Sequence, residues 1–513
     1  MQTILSAMCT RYFLAFIICT SSLFSCTTGK KAYSPYRKYP KEALQKDYIL
    51  LREALEAKHP SLYWYQDKDS IDAFFDRQYL RIGDSMTEQA FAWHIISPLL
   101  RQFHCGHTTV GLSKSYSKWA YGKTFSSFPL YLKVWNDSMA VIGNLNRKDS
   151  LMTRGTLVTG INGSRNKELI RRMFSYLPTD GFSESINYTR LSSNFPYFHR
   201  NIFGLSKTYR VNYIDSAGRE KEAILPMFEI KKDSSKEKTA KQKPTKPPRK
   251  KIPRAERLTV YRSFEIDSSK QFAVMTVNTF TRGNLRTFFR RSFRTMRKKK
   301  IPSLVIDLRS NGGGHVALST LLTRYVTRER FGVADSIYAV SKDLGRYTKY
   351  FRGGWLNNLE MWLIAARRKD GKYHVPYLEK KKFSPKKSNH YNGHVYVLTS
   401  GSTFSASSLF CNAVKGQEGI WLVGEETGGG WHGNSGIMIP QFQLPNTGIR
   451  VRFPLYRLVQ YRHVPKNGSG VMPDIPVETD YRFLLERKDK KMEVARQLIL
   501  QQQEKQDSVP SNP

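Results

Sequence analysis

Between Pro40 and Arg101 the apolar positions recur at intervals of three and four. Tyr48, Leu51 and Leu55, then Phe74, Phe75 and Leu80, follow this spacing, which places them on one face of a helix. Thr87-Glu88-Gln89-Ala90 opens a further helix with Ile95, Ile96, Leu99 and Leu100 on its apolar side. The period predicts a small helical domain over residues 40–110, ending at Phe103-His104-Cys105-Gly106-His107.

The period then changes. Over residues 126–228 short alternating runs, Leu130 to Val134, Met139 to Ile142 and Tyr209 to Tyr213, predict strands. Residues 229–257 are rich in Lys, Arg and Pro and poor in large apolar side chains. Such a segment buries too little surface to offset its ordering entropy, so a disordered basic linker is expected. From 258 to 485 apolar runs of strand length alternate with helical patterns: Phe272 to Val277, a basic helix from Asn284 to Lys300, Leu304 to Leu308, Val316 to Tyr325, Val395 to Thr399, Ser405 to Lys415, and Ile420 to Val423. That alternation predicts an α/β domain built on a parallel sheet with helices on its faces. Residues 486–513 read as a C-terminal helix and tail.

Composition changes the picture in two places. Of 513 residues 40% are apolar and 13% aromatic, enough to build cores and to exclude wholesale disorder. The 83 Lys and Arg against 42 Asp and Glu leave a formal charge of +41, which favours anionic surfaces such as lipid headgroups or other polyanions. No nucleic-acid module accompanies that charge. At the N-terminus Arg11 precedes an apolar run, Tyr12 to Phe24, too short to span a bilayer as a mature helix. It reads as a secretory signal over residues 1–25. Leu23-Phe24-Ser25-Cys26 resembles a bacterial lipobox, with Cys26 as the lipidated residue and residues 26–39 as a tether. The other cysteines, Cys9, Cys19, Cys105 and Cys411, include no C-x-x-C pair, and neither a disulfide framework nor a cysteine-rich zinc module is expected.

Three loops carry candidate chemistry. Thr399 to Ser408 (TSGSTFSASS) runs from a strand through small residues into a helix, where a serine would sit among free backbone amides at the positive end of the helix dipole. Plain N-capping would use the same residues. Asp307 to His315 (DLRSNGGGH) places three glycines after a buried strand, a design for close backbone approach to a ligand and for an anion site made of peptide N–H groups. Gly424 to Gly430 (GEETGGG) is a third exit from the same sheet edge, and in open α/β sheets ligands gather there. His104, Cys105 and His107 lack a matching third metal ligand, so no metal is assigned; no cofactor is expected either.

In combination and order, IDLRSNGGG, SGSTFSASS and VGEETGGG resemble the tail-specific, or C-terminal-processing, serine proteases, whose catalytic core is shared with tricorn protease and is crotonase-like. The segment Gly155 to Gly163 (GTLVTGING) resembles a stretch of PDZ domains, which bind peptide tails by strand addition. The resemblance implies a crotonase-like α/β core behind an N-terminal helical domain and a PDZ-like β-rich domain. It implies Ser405 as nucleophile, with Ser408 standing where many relatives carry glutamate. Gly430 stands at the lysine position of the bacterial Ser/Lys branch, and Lys415, ten residues along the helix from Ser405, would lie roughly 15 Å away. His107, in Gly106-His107-Thr108, matches the histidine of the tricorn-like branch. The third member falls on Asn467, upstream of Gly470-Val471-Met472-Pro473-Asp474. Amides of Gly312, Gly313, Gly314 and Ala406 would form the oxyanion hole.

The expected function is an exported, lipid-anchored serine endopeptidase of the bacterial cell envelope, acting on peptides or proteins and touching the membrane through its anchor and basic surface. A catalytically inactive peptide-binding lipoprotein of the same fold and a polyanion-binding surface protein are the alternatives.

Overall fold

The computed structural model describes residues 33–230, 253–460, 464 and 466–507. Cys26 with the signal segment, and most of the basic linker, lie outside these residues.

The parallel sheet predicted from the apolar runs is the centre of the molecule. Its strands lie in the order Arg262–Ile266, Phe272–Val277, Ser303–Asp307, His394–Thr399, Ile420–Gly424 and Ile475–Pro476, with the first pair antiparallel and the others parallel. Side chains alternate between the two faces. Leu304 and Ile306 join one core with Val395, Val397 and Phe410, under the helices Leu285–Lys299, Val316–Val326 and Ala406–Val414. Val305, Tyr396 and Leu398 face the other side, where Ala495 and Ile499 of the helix Lys490–Asp507 cover them. The C-terminal helix is therefore a layer of the core, joined to the last strand through the short helix Tyr481–Glu486.

A second sheet was not evident in the pattern. Ala366–Arg367, Tyr373–His374, Ala334–Ala339, Tyr456–Gln460 and Gly433–Ile437 form it in that order. The middle segment folds as the antiparallel sheet Leu130–Trp135, Ser138–Asn144, Leu157–Ile161, Thr208–Ile214 and Glu220–Pro226, with the helices Asn166–Phe174 and Ser185–Phe203. Leu130, Leu132 and Val134 are buried, as alternation requires.

The N-terminal helices Lys41–Lys58 and Lys68–Leu80 do not close a core by themselves. Leu44, Tyr48, Leu51, Leu55 and Phe75 share one buried cluster with Ile337, Phe442, Val451, Phe453 and Leu458. The strand Thr109–Gly111 pairs with Arg450–Arg452. This union carries the His107 loop, about three hundred residues upstream of Ser405 in sequence, to the central sheet.

Candidate active site

Ser405 lies between the strand His394–Thr399 and the helix Ala406–Val414, with φ 55° and ψ −120°. For a residue with a Cβ this left-handed backbone is strained, a feature concentrated at functional sites. The neighbouring glycine loop holds it in place. Phe404 N donates to Asn311 O at 3.1 Å, Ser400 Oγ to Arg309 O at 2.7 Å, and Thr403 Oγ1 to Leu308 O at 3.0 Å. Gly313, at φ +97°, is so close that an added Cβ would lie 2.7 Å from Ser405 Cβ and 2.9 Å from Ala406 N. The third loop closes in as well, since a Cβ on Gly429 would meet Ser405 N at 2.9 Å.

His107 reaches this point from the N-terminal region. A Cβ on Gly436 would lie 3.0 Å from His107 Nε2 and 3.0 Å from Ser405 Oγ, so both reactive atoms face one small volume beside the strand Gly433–Ile437. The His107 ring packs on Phe404 with centroids 4.7 Å apart. Neither ring nitrogen has a hydrogen-bond partner among the described residues. Gly106 is needed here, because a Cβ would stand 2.7 Å from Phe404 Cζ and 3.1 Å from Asp180 N.

The group behind His107 is a carboxylate that sequence reasoning missed. Asp180 Oδ1 lies 3.6 Å from His107 Nδ1 and accepts the Gly106 N–H at 2.6 Å; Asp180 is 3% exposed. Arg190, half-buried nearby, carries a guanidinium pulled down to about 10 by desolvation, with the Asp180 charge acting in the opposite direction. In sequence Asp180 sits in Pro178-Thr179-Asp180-Gly181, which reads as turn chemistry and nothing more.

The expectation for Asn467 is corrected accordingly. Its side chain is exposed, and its Oδ1 accepts from Ser469 N at 3.0 Å and from Ser469 Oγ at 2.8 Å. Its loop supports the Asp180 turn from behind, with Gly468 O accepting the Phe182 N–H at 2.7 Å. The motif match pointed to the right loop, but the side chain there caps its own turn.

The oxyanion assignment narrows. Gly313 N already donates to Asn311 Oδ1 at 2.9 Å, and its O accepts from Phe280 N. The amides of Gly312, Gly314 and Ala406 have no acceptor among the described residues. Lys415 pairs with Asp474 at 2.5 Å. A Cβ on Gly430, the lysine position of the Ser/Lys branch, would lie 2.7 Å from Gly433 O and 3.7 Å from Asp180 Cβ. His104 does structural work: its Nδ1–H donates to Gly181 O at 2.9 Å, Gln66 lies 3.1 Å from Nε2, and burial lowers its pKa to about 4. Burial raises the Cys105 and Cys411 thiols, Cys105 to about 11, so neither is an activated nucleophile. No cluster of three metal-ligating side chains occurs among the described residues.

Residues 271–477, which hold Ser405 and all three loops, match peptidase family S41. The chain carries a serine peptidase domain of family S41 over these residues. Its fold is similar to that of mature CPAF, solved alone and in complex with lactacystin; each comparison gives 13% identity, covers 90% of this chain, and has a TM-score of 0.58. The match extends over 99% of the CPAF chain in the lactacystin complex and 98% in the other structure. A looser likeness, TM-score 0.36 at 13% identity over 85% of this chain and 93% of the other, links it to the photosystem II D1 C-terminal processing protease. No curated protein matches the sequence significantly.

Proposed function

We propose that this S41 peptidase is an exported, membrane-anchored endopeptidase working through Ser405, His107 and Asp180. The central sheet is read as the crotonase-like core, and the antiparallel sheet with its two helices as a PDZ-like module that would present a peptide. The observation that carries the reading is the convergence of His107 Nε2 and Ser405 Oγ on one point, each 3.0 Å away, with Asp180 on the far side of the imidazole.

Ser405 Oγ attacks the scissile carbonyl while His107 Nε2 takes its proton. The Asp180 carboxylate stabilises the imidazolium through Nδ1. The negative charge on the tetrahedral oxygen is held by the Ala406 amide and by Gly312 or Gly314. His107 then returns the proton to the departing amine, and water hydrolyses the acyl-enzyme by the same route. The open spacing at His107 agrees with catalytic hydrogen bonds that tighten only around substrate. A cavity of about 320 Å³ between the helices Val316–Val326 and Ala406–Val414 includes Leu409, one turn beyond Ser405, and has the size to take a substrate side chain. Anchoring rests on Cys26 and the basic surface: Cys26→Ser is expected to weaken membrane retention and shift protein toward a soluble fraction, most completely at high salt.

The unpartnered ring nitrogens of His107 favour a second reading, a peptide-binding protein of this fold without catalysis. A fluorophosphonate probe separates the two. Labelling of the wild type that Ser405→Ala abolishes and His107→Ala slows by orders of magnitude supports the peptidase; an unlabelled, folded wild type supports the binding protein.

A further inference from the structure

The helix Gly354–Ile364, GWLNNLEMWLI, is attached to the body by one face only. Gly354 and Met361 are buried in it, Met361 within the cluster that includes Phe351 and Phe442. The opposite face is apolar and uncovered: Trp355 is 67% exposed, Leu356 52%, Leu359 47%, Trp362 61% and Leu363 66%. Positions 355, 359 and 362, with 356 and 363 beside them, form a continuous stripe at helical spacing. Two tryptophans and three leucines exposed together exceed the scattered apolar side chains of an ordinary surface.

The surroundings say what covers this stripe. From Lys342 to Lys387 the chain carries thirteen Lys and Arg against four acidic residues. Lys342, Arg346, Lys349 and Arg352 are exposed before the helix, and Arg367, Arg368 and Lys369 after it. Among the acids Glu379 is already paired with Arg368 and His374, and Asp370 with His374. An apolar stripe bearing tryptophan and flanked on both sides by cations matches the layering of an anionic bilayer surface, with acyl chains beneath and phosphates around. At 11 residues the helix is too short to span, and no described helix is long and apolar enough to cross a membrane.

We propose that Gly354–Ile364 is an interfacial membrane-docking helix, inserting Trp355, Leu356, Leu359, Trp362 and Leu363 into anionic lipid while the flanking Lys and Arg engage headgroup phosphates. The helix lies outside the candidate catalytic residues, so this inference stands or falls independently of the peptidase mechanism. It gives a weak lipid anchor the second attachment that stable membrane residence requires.

The test uses full-length Cys26→Ser protein, which cannot be lipidated, with and without Trp355→Phe/Trp362→Phe and Trp355→Ser/Trp362→Ser. Tryptophan fluorescence is read on vesicles of brominated phosphatidylcholine, with or without phosphatidylglycerol. Expected is quenching on phosphatidylglycerol vesicles whose amplitude drops in the Phe pair. The Ser pair should bind these vesicles more weakly, by about tenfold per tryptophan. Thermal unfolding should be unchanged in both pairs, which shows that they fold, and any hydrolysis of a soluble peptide should be unchanged as well. Equal quenching amplitude in parent and Phe pair, or equal quenching without phosphatidylglycerol, overturns the proposal. So does a sedimentation shift from dimer to monomer in the Ser pair with no lipid effect, which would assign the stripe to a second copy of this chain.

Discussion

At the scale of single residues the candidate site turns on groups that differ in how much they reveal in sequence. Ser405 and His107 sit in phrases whose small neighbours mark them, whereas Asp180 lies in a turn where aspartate is ordinary. Its role is defined only by what folds against it: Gly106 N on one side, His107 Nδ1 at 3.6 Å, and the 467–470 loop behind. Asp180→Asn keeps an acceptor for Gly106 but removes the charge that balances imidazolium. It should lower kcat by at least about a hundredfold with little change in melting temperature, while Asn467→Ala stays within a fewfold of wild type. Steady-state kinetics on one peptide decide this, and an Asn467→Ala enzyme as damaged as Asp180→Asn would restore the sequence-based assignment. Gly436→Ala is a sharper probe. Its methyl would stand 3.0 Å from both Ser405 Oγ and His107 Nε2 and 2.8 Å from Asn434 Oδ1. The backbone there tolerates alanine, so kcat and the fluorophosphonate labelling rate should drop by about tenfold or more in a folded protein.

At the scale of elements, the central strands were legible because they are buried on both faces and read as unbroken apolar runs. The second sheet was not, since Gly433–Ile437 is GNSGI, where Ile437 alone favours a strand, and it is extended because Tyr456–Gln460 pairs with it. That tertiary override hid the strand lying across Ser405 and His107. The serine loop itself was visible as a strand-to-helix exit, but the strain at Ser405 was not. Gly313 permits that strain, and Gly313→Ala sets a methyl against backbone at 2.7 Å from Phe404 O, in a conformation alanine disfavours. It should lose both probe labelling and thermal stability. The base also has no substitute at this scale. In the double variant His107→Ala/Gly430→Lys activity should stay at the His107→Ala level, because position 430 abuts Gly433 O; recovery of activity would mean that a Ser/Lys dyad fits after all.

At the scale of the whole molecule, catalysis depends on distant segments staying together, and buried polar groups hold the joint. Asp47, fully buried, accepts from Asn446 N and Nδ2 and from Thr447 N and Oγ1 at 2.7–3.0 Å. The helical and α/β patterns each read correctly as elements, yet nothing in their periods showed that they share one core. Two histidines next to the His107 loop make that union sensitive to acid. His59 Nδ1 accepts the Ser61 N–H at 3.1 Å, which fixes its proton on Nε2, donating to Thr108 Oγ1 at 2.7 Å. His104 donates its Nδ1–H to Gly181 O at 2.9 Å, which fixes its tautomer. Desolvation leads in lowering both pKa values, to about 3 for His59 and about 4 for His104, with Arg457 and Arg101 adding to it. The unfolded chain, with an ordinary value of about 6.5, therefore binds protons first as pH falls. The stability these neutral rings confer is complete above about pH 6.5 and is lost progressively toward pH 4, by about 2 kcal/mol for each ring at pH 5. Denaturant unfolding at pH 7.5 and pH 5 should show the loss, and His59→Gln, which cannot take up a proton, should shrink it by about one ring's share. An unfolding free energy that does not change between these pH values, or a His59→Gln protein with the wild-type slope, would mean that the segment bearing His107 is held by apolar contacts alone.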